Sequence, residues 1–308
     1  MNGEQILDKI KGGLYGVAVG DALGGTTEFM TRQEIKARYG YLTEVIGGGV
    51  WGLEPGEVTD DTMMTLCVAE GIVENPAQPV EAIGRRFLEW YRSRPKDIGN
   101  IIRHTMEHYR DNWFEAAFLT DLDLGQSGGN GSLMRCLPAA LAYADSALME
   151  TVSRMQSRMT HYDERCDEAC VIYNKIARRL LAGEELSRAI PGETAGTAYS
   201  SSFTVAPDCP PDGYVVHTFH WVLYILMNTE QFEGAVQYAA NLGGDSDTIG
   251  AIAGGLAGIH YGYRGIPSRY RDCILVKERL ERTAELLIAV REGTLGGLNS
   301  GEYGKPPM

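Results

Sequence analysis

No stretch of the chain reaches the ~18 uninterrupted apolar residues that a membrane span requires, and the amino terminus, MNGEQILDKIKGG, lacks a signal peptide's apolar core. The expectation is a cytoplasmic protein with no transmembrane segment. No Lys/Arg-rich run exists to neutralise phosphates and the net charge is −13, which argues against a nucleic-acid scaffold as partner. The six cysteines (Cys67, Cys136, Cys166, Cys170, Cys209 and Cys273) include no C-x-x-C pair and read as free thiols in a reducing compartment. No Pro/Ser linker divides the chain, so a single domain over residues 1–308 is expected.

Strand alternation is also scarce: YLTEVI (41–46) is too isolated to build a sheet. Apolar residues instead recur at spacings of three and four over 4–20, 59–74, 79–93, 97–110, 132–145, 163–182, 215–227, 231–240, 248–261 and 275–291. That periodicity predicts a compact all-α bundle of crossing helices, with 191–213 as its loosest stretch. Glycine is plentiful at 38 residues, and in TIGAIAGGLAGIHY the glycines at 250, 254 and 258 form a row along which another helix can approach closely.

Charge gathers where helices should begin. VTDDTMM (58–64) places Asp60 and Asp61 beside Thr59, a plausible N-cap, at a helix start where unpaired N–H groups favour oxygen and negative charge. NLGGDSDT (241–248) repeats the theme with Asp245, Asp247 and Thr248. The residues leave two readings open. Either these are independent capped helices with solvated carboxylates, or the two starts meet and a divalent cation neutralises them. An all-oxygen set without His or Cys suits Mg²⁺ or Mn²⁺ rather than Zn²⁺. A third acidic element, GDALGGTTE, turns on glycines toward Glu28, and SGGNGSLMR (127–135) is a glycine-rich loop able to present backbone N–H groups to phosphate.

In order, GDALGGTTE, TDDTMM, GNGSLMR, the Thr160-His161 pair and GGDSDTIGAIAGGLAG resemble the ADP-ribosylglycohydrolase family over about residues 11–265. SRPKDIGN (93–100) brings the likeness nearest to the dinitrogenase-reductase-activating subgroup. The resemblance implies an all-α fold of that type and two divalent cations, Mg²⁺ or Mn²⁺, held by Thr59, Asp60, Asp61, Asp245, Asp247 and Thr248. It implies catalytic roles for Asp97, Glu28 and Asp60, and an ADP-ribose site formed by Gly129, Asn130, Gly131, Ser132, His161 and Tyr214. The implied reaction is hydrolysis of the bond between ADP-ribose and a modified side chain, arginine first. The expected partners are therefore an ADP-ribosylated protein and ADP-ribose, with a regulatory protein as a further expectation and a monomer as the oligomeric state. Two departures bear on the acceptor: Gln126-Ser127-Gly128 stands where relatives tend to carry an aspartate, and His217 replaces another.

Three alternatives accompany this reading: another ADP-ribose linkage (serine, nucleotide or O-acetyl), a non-catalytic ADP-ribose-binding regulator, and a zinc peptidase. The last rests on His104-x-x-Glu107-His108, whose histidines share a helix face as zinc ligation needs.

Overall fold

Helix α1 (Gly3–Gly24) starts from a reciprocal cap, in which the Asn2 side chain accepts from Gln5 N and the Gln5 side chain accepts from Asn2 N. Its first two turns are polar, but from Ile10 onward nearly every residue is buried. A helix buried on all sides needs neighbours all round. Fourteen more α-helices, with the loops between them, surround it within residues 2–295, the part of the chain described by this computed structural model. They are α2 (Arg32–Tyr39), α3 (Asp60–Glu74), α4 (Val80–Arg92), α5 (Asn100–His108), α6 (Trp113–Leu124), α7 (Pro138–Ala142) and α8 (Ser146–Arg158). After them come α9 (Glu164–Leu181), α10 (Leu186–Thr194), α11 (Val215–Met227), α12 (Phe232–Ala240), α13 (Ser246–Tyr261), α14 (Ser268–Arg271) and α15 (Lys277–Glu292). Among the described residues β-pairing is confined to two isolated bridges, Gly48 with Leu53 and Gly129 with Tyr214, so the all-α expectation holds.

The glycine row of α13 meets a matching row on α1. A Cβ added to Gly12, Gly16 or Gly20 would lie 2.1, 2.0 or 1.9 Å from the carbonyl oxygen of Gly258, Gly254 or Gly250 respectively. The register is antiparallel and backbone touches backbone. Continued one turn further, it lays Gly24 against Ser246 and Asp247, so the end of α1 and the start of α13 share one point in space. The Ser246 hydroxyl fastens the junction by donating 2.9 Å to Gly24 O.

Five helices go beyond the periodicity, the single turn α14 among them. α6 carries apolar side chains on both faces, Trp113, Ala116 and Ala117 inward and Phe114, Phe118 and Leu122 outward, which erases the one-sided pattern. α2 buries only Ile35. α8 is announced by its Asp145 cap, and α10 occupies the start of the stretch expected to be loose. The continuous helix expected over 132–145 is corrected to a 3₁₀ turn (Asn130–Ser132), a further turn and the short α7, because Pro138 has no N–H for an i→i−4 bond.

The α1–α13 crossing generates a prediction. Gly16→Ala meets backbone that cannot yield, and lowers unfolding free energy by ~3 kcal/mol or more. Gly234→Ala in α12, where the nearest atom to a new Cβ is a threonine side chain at 3.4 Å, leaves stability unchanged or raises it by up to ~1 kcal/mol. Urea denaturation of the two variants checks this, and equal effects would refute it.

Candidate active site

The start of α3 is capped from outside itself. Thr59 occupies the N-cap position, as its place in the sequence suggested, but its side chain makes no cap bond to its own helix. Asp21, fully buried near the end of α1, takes that part: it accepts from Thr59 N at 3.0 Å, Thr62 N at 3.0 Å and Thr62 Oγ1 at 2.5 Å. The Thr59 hydroxyl lies 2.9 Å from Asp21 Oδ1 and 3.2 Å from Asp61 Oδ2. Relieved of capping, Asp60 and Asp61 point elsewhere. Asp60 accepts from Gly99 N at 3.1 Å, and Asp61 Oδ2 is approached at 3.4 Å by Thr248 Oγ1 from the start of α13. The two acidic helix starts therefore meet, as the second reading of the sequence required.

Around that meeting point the loops add more carboxylates. Glu28, buried just past α1, accepts 2.5 Å from Trp51 Nε1. Asp245 accepts 2.5 Å from the Asn130 amide, and Asp247 accepts from Thr248 N at 2.8 Å. Asp97, on the loop before α5, is half-buried and has no hydrogen-bond partner among the described residues. Ligand oxygens of Glu28, Asp97 and Asp247 lie within 4.8 Å of one another. The HxxEH histidines form no such group among the described residues: His108 Nε2 sits 2.8 Å from Asp123 Oδ2 on the neighbouring helix.

Burial comes first in shifting these acids, and their mutual repulsion adds to it. Asp60 and Glu28 are each pushed up to about 7 and Asp97 to about 9, while Asp61 and Asp247 rise well above the usual carboxylate range. Asp21 rises to about 6 through burial, with the threonine donors pulling the other way. One oxygen of this acidic group is left over: Asp61 Oδ1 is buried with no partner among the described residues. A buried acceptor of that kind is costly unless a cation or proton meets it. The donor set is entirely oxygen, so the residues fit a hard divalent cation.

Beside the acids opens a cavity of about 420 Å³, lined by Glu28, Asp60, Asp97, Asp245, Asp247 and Thr248 on one side and by Gly129, Asn130, Gly131 and His161 on another. Among the described residues no lysine or arginine lines it. Two expected substrate residues stand back from the wall. Ser132 is buried beneath the loop, accepting from Ser157 Oγ at 3.1 Å, and Tyr214 flanks the loop through its bridge to Gly129, its hydroxyl accepting from Arg165 at 2.8 Å. Asn130 joins both halves, donating to Asp245 and, at 2.9 Å, to Thr218 Oγ1. Asp21 and Trp51 are the residues that sequence reasoning passed over. A lone aspartate inside the wholly apolar GGLYGVAVGDALGG was the signal for Asp21; nothing local marked Trp51.

The sequence profile described as ADP-ribosylglycohydrolase matches residues 2–295. ADP-ribosyl-[dinitrogen reductase] glycohydrolase of Rhodospirillum rubrum is 34% identical, over 94% of this chain and 99% of that protein. ADP-ribosylarginine hydrolase Tri1 of Serratia proteamaculans is 30% identical, over 91% of this chain and 79% of its own length. A solved structure described as an ADP-ribosylglycohydrolase-related protein complex aligns with a TM-score of 0.78 at 30% identity, covering 93% of this chain and 99% of that one. A profile match that runs almost end to end, on a helical chain whose acidic helix starts converge, shows that this chain belongs to the ADP-ribosylglycohydrolase family and is a hydrolytic enzyme of that family.

Proposed function

We propose that the protein removes ADP-ribose from modified arginine side chains, using two divalent cations, Mg²⁺ or Mn²⁺. The observation that carries this reading is the convergence of the Asp60–Asp61 and Asp245–Asp247 helix starts on one cavity that a glycine-rich loop also lines. The names of the hydrolases in Rhodospirillum rubrum and Serratia proteamaculans support the reaction, and the second supports the arginine linkage. Six free cysteines support a reducing compartment, and no helix among the described residues is long and apolar enough to cross a membrane. One continuous buried cluster, running from Ile10 to Leu287, supports a single domain.

Thr59, Asp60, Asp61, Asp245, Asp247 and Thr248 would hold the cations. Bound there, Mg²⁺ or Mn²⁺ supplies positive charge to the ribose hydroxyls and to water. The protein's own residues do the rest. Gly129, Asn130, Gly131 and His161 orient the nucleotide end of the substrate, with Ser132 and Tyr214 supporting the loop from behind and beside. Breaking the C1″–N bond builds oxocarbenium character on the ribose; water adds to C1″ and a proton passes to the leaving guanidine nitrogen. Asp97 suits that proton: it has no hydrogen bond to another described residue and it reaches the cavity. Glu28, tethered by Trp51, stands in the same acidic group as Asp97 and Asp247.

Three outcomes test this. In a panel of arginine-, serine- and nucleotide-linked ADP-ribose substrates, free ADP-ribose is released from the arginine linkage with Mg²⁺ or Mn²⁺ and not in chelator. Tight binding without turnover would favour a non-catalytic binder, and turnover of another linkage would move the substrate. Asp97→Asn lowers single-turnover release by ~10² or more and Glu28→Gln by less, both with cation bound; full activity in both would end the assignment.

The raised acids also fix a pH dependence. An acid whose folded pKa exceeds its unfolded value stabilises the fold while protonated, and that contribution is lost as pH climbs from the unfolded value through the folded one. For Asp60 and Glu28 the window runs from the ordinary values of 3.8 and 4.5 up to about 7. In EDTA the melting temperature therefore falls from about pH 5 to about pH 8, where ordinary carboxylates no longer titrate. Saturating Mn²⁺ removes or reverses the slope, because it binds the ionised forms. Scanning calorimetry with and without cation reads this, and a midpoint rising with pH in EDTA would contradict it.

A further inference from the structure

Arg135 ends the GNGSLMR stretch and is fully buried, yet none of the ion pairs among the described residues gives it a carboxylate. Its guanidinium is held by neutral groups. Nε donates to Gln156 Oε1 at 3.1 Å, Nη2 to Gln156 O at 2.9 Å and to Thr160 Oγ1 at 2.7 Å, and the plane lies 4.6 Å from the Phe87 ring centroid. Gln156 is pinned in turn, donating to Ser132 O at 3.1 Å and Ser153 O at 3.2 Å. A buried cation held this firmly without a counter-charge is expensive, so what it touches matters.

It touches Thr160, whose Oγ1 also lies 2.7 Å from His161 Nδ1. Proton counting settles the direction of that bond. Arginine has no acceptor, so Thr160 Oγ1 accepts from Arg135 and has one proton left to give. Thr160 is fully buried, and His161 Nδ1 is the acceptor within reach of that hydroxyl. Were Nδ1 protonated, the two N–H donors would both face Thr160 Oγ1 and its own O–H would be stranded. Nδ1 must therefore be bare, and a neutral ring then carries its proton on Nε2.

We infer that Arg135, acting through Thr160, fixes His161 as the Nε2-protonated tautomer, so that a neutral N–H donor points at the phosphate oxygens of the substrate. Arg135 and Thr160 are thus positioning residues. The substrate half of this statement rests on the ADP-ribose reading; the tautomer does not. His161 Nε2 is buried and has no partner among the described residues, and His161 lines the cavity. The glycines of the loop pass close over that edge, where a side chain would crowd it: a Cβ on Gly129 would stand 3.3 Å from Nε2, and one on Gly131 3.2 Å from Cε1. Burial and the neighbouring Arg135 hold the imidazole well below its usual range, in agreement with a neutral ring. Such a donor recognises an anionic oxygen without surrendering a proton to it, while the Arg135 charge behind Thr160 favours an anion in the cavity.

The test is the nitrogen spectrum of the imidazoles in Mg²⁺-loaded protein without ligand, with His161 assigned as the signal lost in His161→Asn. Nδ1 should resonate as an unprotonated nitrogen and Nε2 as a protonated one at neutral pH. Thr160→Val should abolish that bias and weaken ADP-ribose binding by about tenfold in calorimetry, whereas Thr160→Ser restores the tautomer and stays within about twofold of the parent. Arg135→Met should release the tautomer with Thr160 still present. A protonated Nδ1 in the parent protein, or an unchanged spectrum in Thr160→Val, would overturn the assignment. If either variant fails to fold, the parent spectrum and Thr160→Ser decide alone. Absence of ADP-ribose binding with the stated tautomer in place would instead overturn the substrate reading and leave the tautomer standing.

Discussion

The contact on which the structure depends is backbone against backbone, where α1 and α13 cross along two rows of glycine. Close approach of this kind is won by omission, since every missing Cβ lets the axes move nearer and brings Cα hydrogens onto facing carbonyl oxygens. It also leaves no freedom of register. Sliding one helix by a residue would drive side chains into the opposite backbone, so the end of α1 is held against the start of α13, and with it Asp21 and Glu28 against Asp245 and Asp247. The acidic site is a consequence of where that crossing stops.

A second constraint follows from crowding. Asp21 gives its oxygens to the start of α3, which frees Asp60 and Asp61 from the capping that their position would ordinarily impose. The result is a group of buried acids that raise one another's pKa and leave one oxygen of Asp61 unmet. The opposite wall carries the complementary arrangement, in which buried Arg135 is insulated from the cavity by Thr160 and His161. Acids gathered on one side and a shielded cation behind the other give the cavity a polarity suited to a ligand with an electron-poor centre and an anionic tail.

Much of this was legible in the sequence because it is local. Helix starts with surplus charge, the GNG loop and the helical periodicity of α3, α9 and α13 all show within a dozen residues, and each proved to lie where the pattern placed it. What could not be read depends on partners distant in sequence. Thr59 looks like a cap until Asp21 is seen to take its place, and Ser132 and Tyr214 look like cavity residues until the loop is seen to turn them away. α6 escaped because its outward face is as apolar as its inward one, and the expected helix at 132–145 failed on a single proline. The partner of the α13 glycine row was present in plain sight as the glycines of α1. Pattern alone does not say which two rows meet.

The α1–α13 crossing also bears on how the chain reaches its final state. The bond from Ser246 to Gly24 joins residues 222 apart, and that from Thr27 to Ala240 joins residues 213 apart. Helix α1 leaves the ribosome long before α13, the surface that covers it. Its apolar, glycine-rich length is then a poor helix on its own and an adhesive one, exposed to other nascent chains. Contacts of such long range close slowly, because the loop entropy is lost before the packing is gained. Any cation-binding step that needs both acidic helix starts therefore comes at the very end of folding, which makes the cation stoichiometry a measure of how many molecules in a preparation have finished.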